Sequence, residues 1–431
     1  MIEIRETNQV NPAEVLRRRA CEEKEVDGAV ASILTAVREK GDEALFAFTE
    51  TFDGAKLDNL SVPAEEVAAA REAVGKEFLS VLEQAARNIR AFHEKQVRQG
   101  FVLAERPGVV MGQRVLPLEK VGVYVPGGTA AYPSTVLMDV IPAKIAGVED
   151  VVMVTPPDKE GKVSPAILAA ASVAGVDNIF RVGGAQAVAA LAWGTQSLPR
   201  VDKIVGPGNI YVATAKKMVY GQVDIDMIAG PSDILVLADE TAQAPVVAAD
   251  MLGQAEHDTM AASVLVTTSK ALAKEVRREL EHQLPCLSRK EIAKASLENN
   301  GMILLAPDIK MAVAFANALA PEHLEVCTEE PFALLPLLKN AGSIFLGSHT
   351  PEALGDYFAG PNHTLPTGGT ARFYSPLSVD DFTKKSSYLY YSKEALQKDA
   401  QQVQAFALRE GLDAHAKSVA IRVRDTEEPV G

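Results

Sequence analysis

Cysteine is scarce in this chain: Cys21, Cys286 and Cys327 are scattered through 431 residues with no Cys-x-x-Cys pair. That excludes a thiolate-rich zinc site and a disulfide framework, and an odd, widely spaced set fits reduced thiols in a cytoplasm. Positive charge is short as well. Against 57 acidic residues there are 43 basic ones, a net charge of −14, which argues against nucleic acid or an anionic membrane as the main partner. No run approaches the about 20 uninterrupted apolar residues that a membrane-spanning helix needs. The opening MIEIRETNQVNPAEVLRRRA lacks the basic-then-apolar order of a signal peptide. Histidine is sparse too, at seven. Any metal held by this chain must therefore be held by nitrogen and oxygen.

What is present is a chain too long for one ordinary core, so two to four domains are expected. Residues 1–20 are polar, carry Arg17-Arg18-Arg19 and read as an arm. From about 25 to 100 the spacing of apolar residues is helical, and Val62-Pro63-Ala64-Glu65-Glu66 is a helix entry with acids at the positive dipole end. From about 121 the pattern becomes strict β/α alternation. VGVYV, VVMVT, NIFRV, KIVG, DILVLA, SVLVTT, MILLA and SIFLG read as buried parallel strands, with Ala-rich helices between most of them. Such alternation predicts doubly wound sheets with right-handed crossovers. The strands are too many for one sheet, so the fold class is α/β with two doubly wound, incomplete Rossmann-like modules and small helical N- and C-terminal appendages. One α/β domain is expected from 21–123 and 232–377, a second from 124–231, and a helical appendage from 378–431. The break falls within DIDMIAGPSDILVLA, where one strand leads almost directly into another through Gly230-Pro231.

Three strand ends run into glycine-rich loops: Val125-Pro126-Gly127-Gly128-Thr129, Val182-Gly183-Gly184-Ala185-Gln186 and Val205-Gly206-Pro207-Gly208-Asn209. Backbone N–H groups at such positions can cradle a phosphate, and ligands of open α/β sheets sit at these carboxyl ends. Three in one module imply a nucleotide cleft, although neither GxGxxG with its distant acid nor GxxxxGK[ST] occurs. Tyr124, Gln186 and Asn209 flank the loops as stacking and hydrogen-bonding candidates. Tight turns that simply need glycine are the plain alternative for any one loop.

Four histidines stand beside carboxylates or amides. Gln254 and His257, three apart at the end of an amphipathic helix, share one face and offer half of a metal site. The others are His323 next to Glu322, His363 near Asp356, and His415 near Glu410. One such pair is ordinarily a solvated surface pair; four weaken that reading and point to metal-assisted acid–base chemistry.

Taken together, VGVYVPGGTAAYPSTVLM, VGGAQAVAALAWGT, DKIVGPGN, IDMIAGPSDILVLAD, QAEHD, APEHLEV and AGPNHTLPTGGTARFYS closely resemble the histidinol dehydrogenases, in order, from about residue 30 to about 425. The resemblance implies oxidation of L-histidinol to L-histidine through an aldehyde, with two NAD reduced and one zinc ion per subunit, in a homodimer with shared active sites. It assigns Gln254, His257, Asp356 and His415 to the metal and Glu322 and His323 to catalysis. Ser232, His363 and Glu410, with the metal ligands and His323, fall on substrate positions, and Tyr124, Gln186 and Asn209 on the NAD site. Asp233 departs from the family pattern, which usually carries glutamate there.

The chemistry suits these residues. A carboxamide, two imidazoles and a carboxylate form a borderline set that accepts further ligands, and histidinol offers an imidazole and an amine. His323 is the natural base for the alcohol proton, and Glu322 can deprotonate the water that adds to the aldehyde. Ala320-Pro321 disfavours helix continuation, which predicts Glu322-His323 in a turn. A related dehydrogenase of another amino alcohol is the nearest alternative. Further rivals are a zinc hydrolase of a small amide, a non-catalytic zinc- or nucleotide-binding protein, and an aldehyde dehydrogenase with Cys327 as nucleophile. A strand over HLEVC puts Cys327 on the face of His323, but a buried strand cysteine is ordinarily inert. Thiol alkylation is therefore expected to leave turnover intact; its abolition would favour the cysteine nucleophile.

Overall fold

Alternation of burial along the strands decides the architecture. A computed structural model describes residues 2–16, 23–127, 131–176, 178–228 and 230–424; Arg17–Arg19, Cys21 and Gly128-Thr129 lie outside the described residues. Five runs form one all-parallel sheet: β4 (Lys120–Tyr124), β5 (Asp150–Thr155), β6 (Asn178–Arg181), β7 (Lys203–Val205) and β8 (Asp224–Ile225), in the order β6-β5-β4-β7-β8. In β5, Val151 and Met153 enter one core while Val152 and Val154 enter another, as a strand covered on both faces requires. Helices Pro133–Ala146 and Pro165–Ala174 contribute to the first core, Gly184–Trp193 and Ile210–Val219 to the second. The strand order reverses at β4, which leaves a crevice at the carboxyl ends.

The second parallel sheet contains β1 (Ile4–Glu6), β9 (Asp233–Ala238), β10 (Ala262–Thr267), β11 (Met302–Leu305), β12 (His323–Cys327) and β13 (Ser343–Leu346), ordered β1-β11-β10-β9-β12-β13. Ile234 and Val236 face one core, Leu235 and Leu237 the other. The chain leaves the first sheet after Ile225 and begins the second at Asp233. Residues 4–6, read as part of an arm, instead form an edge strand in register with Ile303–Leu305. Three residues are too short for a periodic signal, and only the partner strand defines them.

Contacts divide the chain into two compact units. The first holds both parallel sheets. The second comprises Arg98–Pro117 and Thr383–Gly431, and its sheet is antiparallel: β14 (Thr383–Tyr391), β3 (Val109–Pro117) and β2 (Phe101–Leu103), in that order. The C-terminal part was expected to be helical, but a nine-residue strand precedes its two helices, Lys393–Arg409 and Asp413–Val423. Tyr-rich KKSSYLYY suits a strand, yet its partner lies more than 260 positions earlier in the register Thr383↔Pro117 to Tyr391↔Val109. Within this unit Arg106 pairs with Asp399 at 2.5 Å. Among the described residues no helix is long and apolar enough to cross a membrane.

A buried ion pair braces the first sheet. Lys216 is 2 % exposed; its ammonium donates to Gly206 O at 2.9 Å and to the Asp226 carboxylate, which in turn accepts from Gly206 N at 2.8 Å. Both backbone groups of one loop glycine are thereby held by a single pair. Removing one partner leaves an uncompensated buried charge, so Lys216→Met is expected to cost about 3–5 kcal/mol, read from denaturant unfolding. A loss below about 1 kcal/mol would contradict the pair's role.

Candidate active site

The helix Ala244–Ala255 buries Val247, Ala248, Met251 and Leu252 and carries Gln254, fully buried, at its last turn. The chain then turns, with the His257 N–H donating to Gln254 O at 3.2 Å. Opposite, the helix Ile309–Leu319 ends at Ala320, the one non-glycine residue with positive φ (55°) among the described residues. That left-handed cap and Pro321 turn the chain so that Glu322 occupies the bend and His323 opens β12. The expected turn thus holds Glu322, and His323 lies one step into the strand.

Asp233, the first residue of β9, holds this pair. Its N–H donates to Glu322 Oε2 at 2.9 Å, its Oδ1 accepts from Glu322 N at 2.8 Å, and its carbonyl lies 3.2 Å from His323 Nδ1. A carbonyl only accepts, so Nδ1 carries the proton and Nε2 is left to face Asp356 Oδ1 at 3.6 Å. The second Asp233 carboxylate oxygen accepts from Gly368 N at 3.1 Å. The aspartate that departs from the family pattern thus fixes both catalytic candidates and the 367–369 turn.

His257, Glu352 and Asp356 bring ligand atoms within 4.8 Å of one another. Asp356 sits in the short π-helix Gly355–Ala359, four residues after Glu352. Glu322, Glu352 and Asp356 crowd round His323 in a region largely closed to water, and Asp250 and Glu325 stand behind Glu352. Burial pushes Glu322 up to about 8 and Glu352 up to about 7, with His323 opposing in both. Burial also disfavours the His323 cation, but Glu352, Glu322 and Asp356 outweigh it and hold the imidazole well above its usual range. His257 is driven down by burial, against the pull of Asp356, which leaves the neutral imidazole that a metal requires. A neutral imidazole, clustered carboxylates and the buried Gln254 amide fit a divalent cation that accepts nitrogen and oxygen.

At the carboxyl ends of β4, β6 and β7 the three loops lie close together. Gly184 N donates to the Tyr124 hydroxyl at 3.0 Å. Gln186 is buried, and its Oε1 has no hydrogen-bond partner. A Cβ on Gly183 or Gly127 would strike Pro156, at 2.6 and 2.7 Å, and one on Gly206 (φ +107°) would meet Tyr124 O at 2.2 Å. Asn209 caps the helix Ile210–Val219, accepting from Tyr211 N and Val212 N at 3.1 and 3.2 Å. The loops and the unpartnered carboxamide fit an anionic, amide-bearing ligand such as a nicotinamide dinucleotide.

Ser232 immediately precedes Asp233 and accepts from Ala262 N at 3.1 Å through its carbonyl. His363 Nδ1 donates to Asp356 O at 3.0 Å, which brings it beside the metal-capable group. Glu410 and His415 belong to the second unit, where both are exposed and line a groove with Val403 and Phe406. Cys327 is buried and burial pushes its thiol up to about 12, the opposite of an activated nucleophile. Sequence reasoning missed Glu352, whose signal was its spacing of four from Asp356, and Glu325 and Asp250. Glu325 Oε1 accepts from Glu352 N at 2.8 Å and its carboxyl faces Asp250. It links the strand of His323 to the turn of Asp356, and Asp250 lies one helical turn before Gln254.

Burial first and Asp250 second push the Glu325 carboxyl up to about 9. The folded chain therefore binds this proton more tightly than the unfolded chain, so its stabilisation is complete at acidic pH and is lost as pH rises towards 9. Glu325→Gln keeps the acceptor for Glu352 N and supplies a permanent donor to Asp250. The melting temperature of Glu325→Gln is expected to fall less between pH 6 and 9 than that of the unaltered chain. Parallel curves would refute the shared proton.

A family model described as histidinol dehydrogenase matches residues 16–423. The chain is 55% identical over 407 residues to the histidinol dehydrogenase of Clostridium acetobutylicum, covering 94% of each chain. It is 56% identical over 401 residues to that of Listeria monocytogenes, covering 93% of this chain and 94% of the relative. The crystal structure of histidinol dehydrogenase from Elizabethkingia anophelis superposes with a TM-score of 0.92 at 37% identity, covering 98% of this chain and 97% of that one. Fold and sequence agree: the chain belongs to the histidinol dehydrogenase family.

Proposed function

We propose that the chain carries out a four-electron oxidation of L-histidinol to L-histidine through the aldehyde, using two NAD+ and one Zn2+ per subunit, in the cytoplasm. The observation that carries this reading is the convergence of Glu322 and His323 on the His257–Glu352–Asp356 group. In the first step the substrate hydroxyl proton passes to His323 Nε2, whose ring is oriented through Nδ1 by Asp233 O. In the second, Glu322 takes a proton from the water that adds to the aldehyde carbon, and its pKa near 8 lets it accept and release that proton near neutrality. His363 and Ser232 contact the substrate beside this pair. Zinc, held by Gln254, His257, Asp356 and His415, would anchor the substrate's imidazole and amine and offset the carboxylates that raise the His323 pKa. The dinucleotide, held at Tyr124, Gln186 and Asn209, would accept a hydride in each step.

Glu410 and His415 enter this reading through a homodimer with shared sites. Both lie on a unit that exposes Phe406, Leu408, Leu412 and Ile421, an apolar surface suited to cover by a second copy. The scattered cysteines fit the reducing compartment.

The test is NADH formed per histidinol at limiting substrate, with zinc-loaded and chelator-stripped protein and an imidazole-free amino alcohol as control. Two NADH, lost on stripping and restored by zinc, are expected, with no turnover of the control. Glu322→Gln is expected to slow the aldehyde step by about 10²–10⁴-fold and the alcohol step far less, whereas His323→Asn slows both. His257→Asn is expected to lose metal. One NADH from the unaltered chain, or full zinc occupancy in His257→Asn, would overturn the corresponding assignment.

A further inference from the structure

Asp139 is fully buried and ionisable, and no step above uses it. It lies in the helix Pro133–Ala146, whose residues from Thr135 to Ala143 are all buried. Across this helix runs the segment Asn362-His363-Thr364, and each of its residues reaches it. Asn362 Nδ2 donates to Met138 O at 2.6 Å, the Thr135 hydroxyl meets His363 Nε2 at 3.4 Å, and the Thr364 hydroxyl donates to Asp139 Oδ1 at 2.7 Å. Asn362 Oδ1 also accepts from Thr364 N at 2.8 Å, which stiffens the segment. The other Asp139 oxygen points towards the cofactor side: a Cβ on Gly206 would come within 3.1 Å of it. One carboxyl group thus stands between the loop that opens at Gly206 and the strap that carries His363.

We propose that Asp139 is a positioning residue: through Thr364 it holds the strap, and with it the His363 imidazole, in register with the cofactor loop at Gly206. The inference rests on the reading of His363 as a substrate contact. The His363 ring is tied at one nitrogen to Asp356 O and approached at the other by Thr135, so its place depends on where the strap lies between the two sheets. Thr364 and Asp139 set that place from the side away from the substrate. Burial pushes the Asp139 carboxyl up to about 8, so at neutral pH it acts as an uncharged acceptor, a role that asparagine can fill.

The test compares Thr364→Val, Thr364→Ser, Asp139→Asn and His363→Ala in zinc-loaded protein, reading KM for histidinol and for NAD+, kcat, zinc content and melting temperature. Thr364→Val keeps side-chain shape and loses the hydroxyl. It is expected to raise the histidinol KM about five- to tenfold, with the NAD+ KM and zinc content within twofold of the unaltered chain. Thr364→Ser and Asp139→Asn, which keep the hydrogen bond, are expected to stay within threefold. A histidinol KM unchanged in Thr364→Val while His363→Ala raises it would overturn the inference alone. Equal increases in both KM values with a lowered melting temperature would also overturn it, as general loosening. No effect of His363→Ala on the histidinol KM would remove the substrate reading and the inference with it. Should Asp139→Asn fold poorly, the Val and Ser pair at 364 still decides.

Discussion

Charge gathered where water cannot reach is the constraint on which the site depends. Three carboxyl groups, Glu322, Glu352 and Asp356, lie within 4 Å of one buried imidazole, with more acids behind them, and isolated ions in such a place are too costly to persist. The structure answers in three ways. Backbone N–H groups of Glu322 and Gly368 donate to the Asp233 carboxylate, and the Asp233 N–H donates to the Glu322 carboxyl. Glu325 retains a proton that a solvated carboxyl would lose and shares it with Asp250. His257, Glu352 and Asp356 gather their donor atoms within 4.8 Å of one another, a nitrogen–oxygen set that suits a divalent cation. Each answer also fixes geometry, since a hydrogen-bonded carboxylate between two elements sets their spacing.

The two parallel sheets are used at opposite ends. Cofactor-type loops follow the carboxyl ends of β4, β6 and β7, as expected for an open α/β sheet. The Glu322–His323 pair lies at the amino ends of the second sheet, where His323 pairs with Ile234 and Ser343 at the start of three parallel strands. A left-handed cap at Ala320 makes this possible by ending the preceding helix abruptly. Between the glycine loops and this pair lie segments that belong to neither sheet, notably 356–368. Those segments are pinned by side chains rather than by ladders: Thr367 Oγ1 accepts from Gly230 N at 2.6 Å, and Asn88 donates to Phe358 O at 2.8 Å.

Rigidity is unevenly distributed as a result. Gly206 is gripped at both its N–H and its carbonyl by a buried ion pair. Among the described residues of the second unit the corresponding ion pair, Arg106–Asp399, is largely exposed, and the unit presents long aromatic and aliphatic side chains to the surface along β2, β14 and the two C-terminal helices. A core that small cannot cover its own apolar residues.

Local patterning determined eight of the strands of the two parallel sheets, because period-two burial on two faces demands unbroken apolar runs, and it determined the glycine loops, where Gly206 and Gly183 have no room for a Cβ; β1, β8 and β12 were not among the runs so read. The spacing of Gln254 and His257, and the adjacency of Glu322 and His323, were likewise legible as chemistry, since few histidines left few ways to build a site. Tertiary structure alone decided the rest. Edge strand β1 and the pairing of β14 with β3 exist only through distant partners. Glu325, Glu352, Asp250 and Asp139 look like any other acids in the sequence. Their role comes from burial, and burial is a property of what packs around a residue.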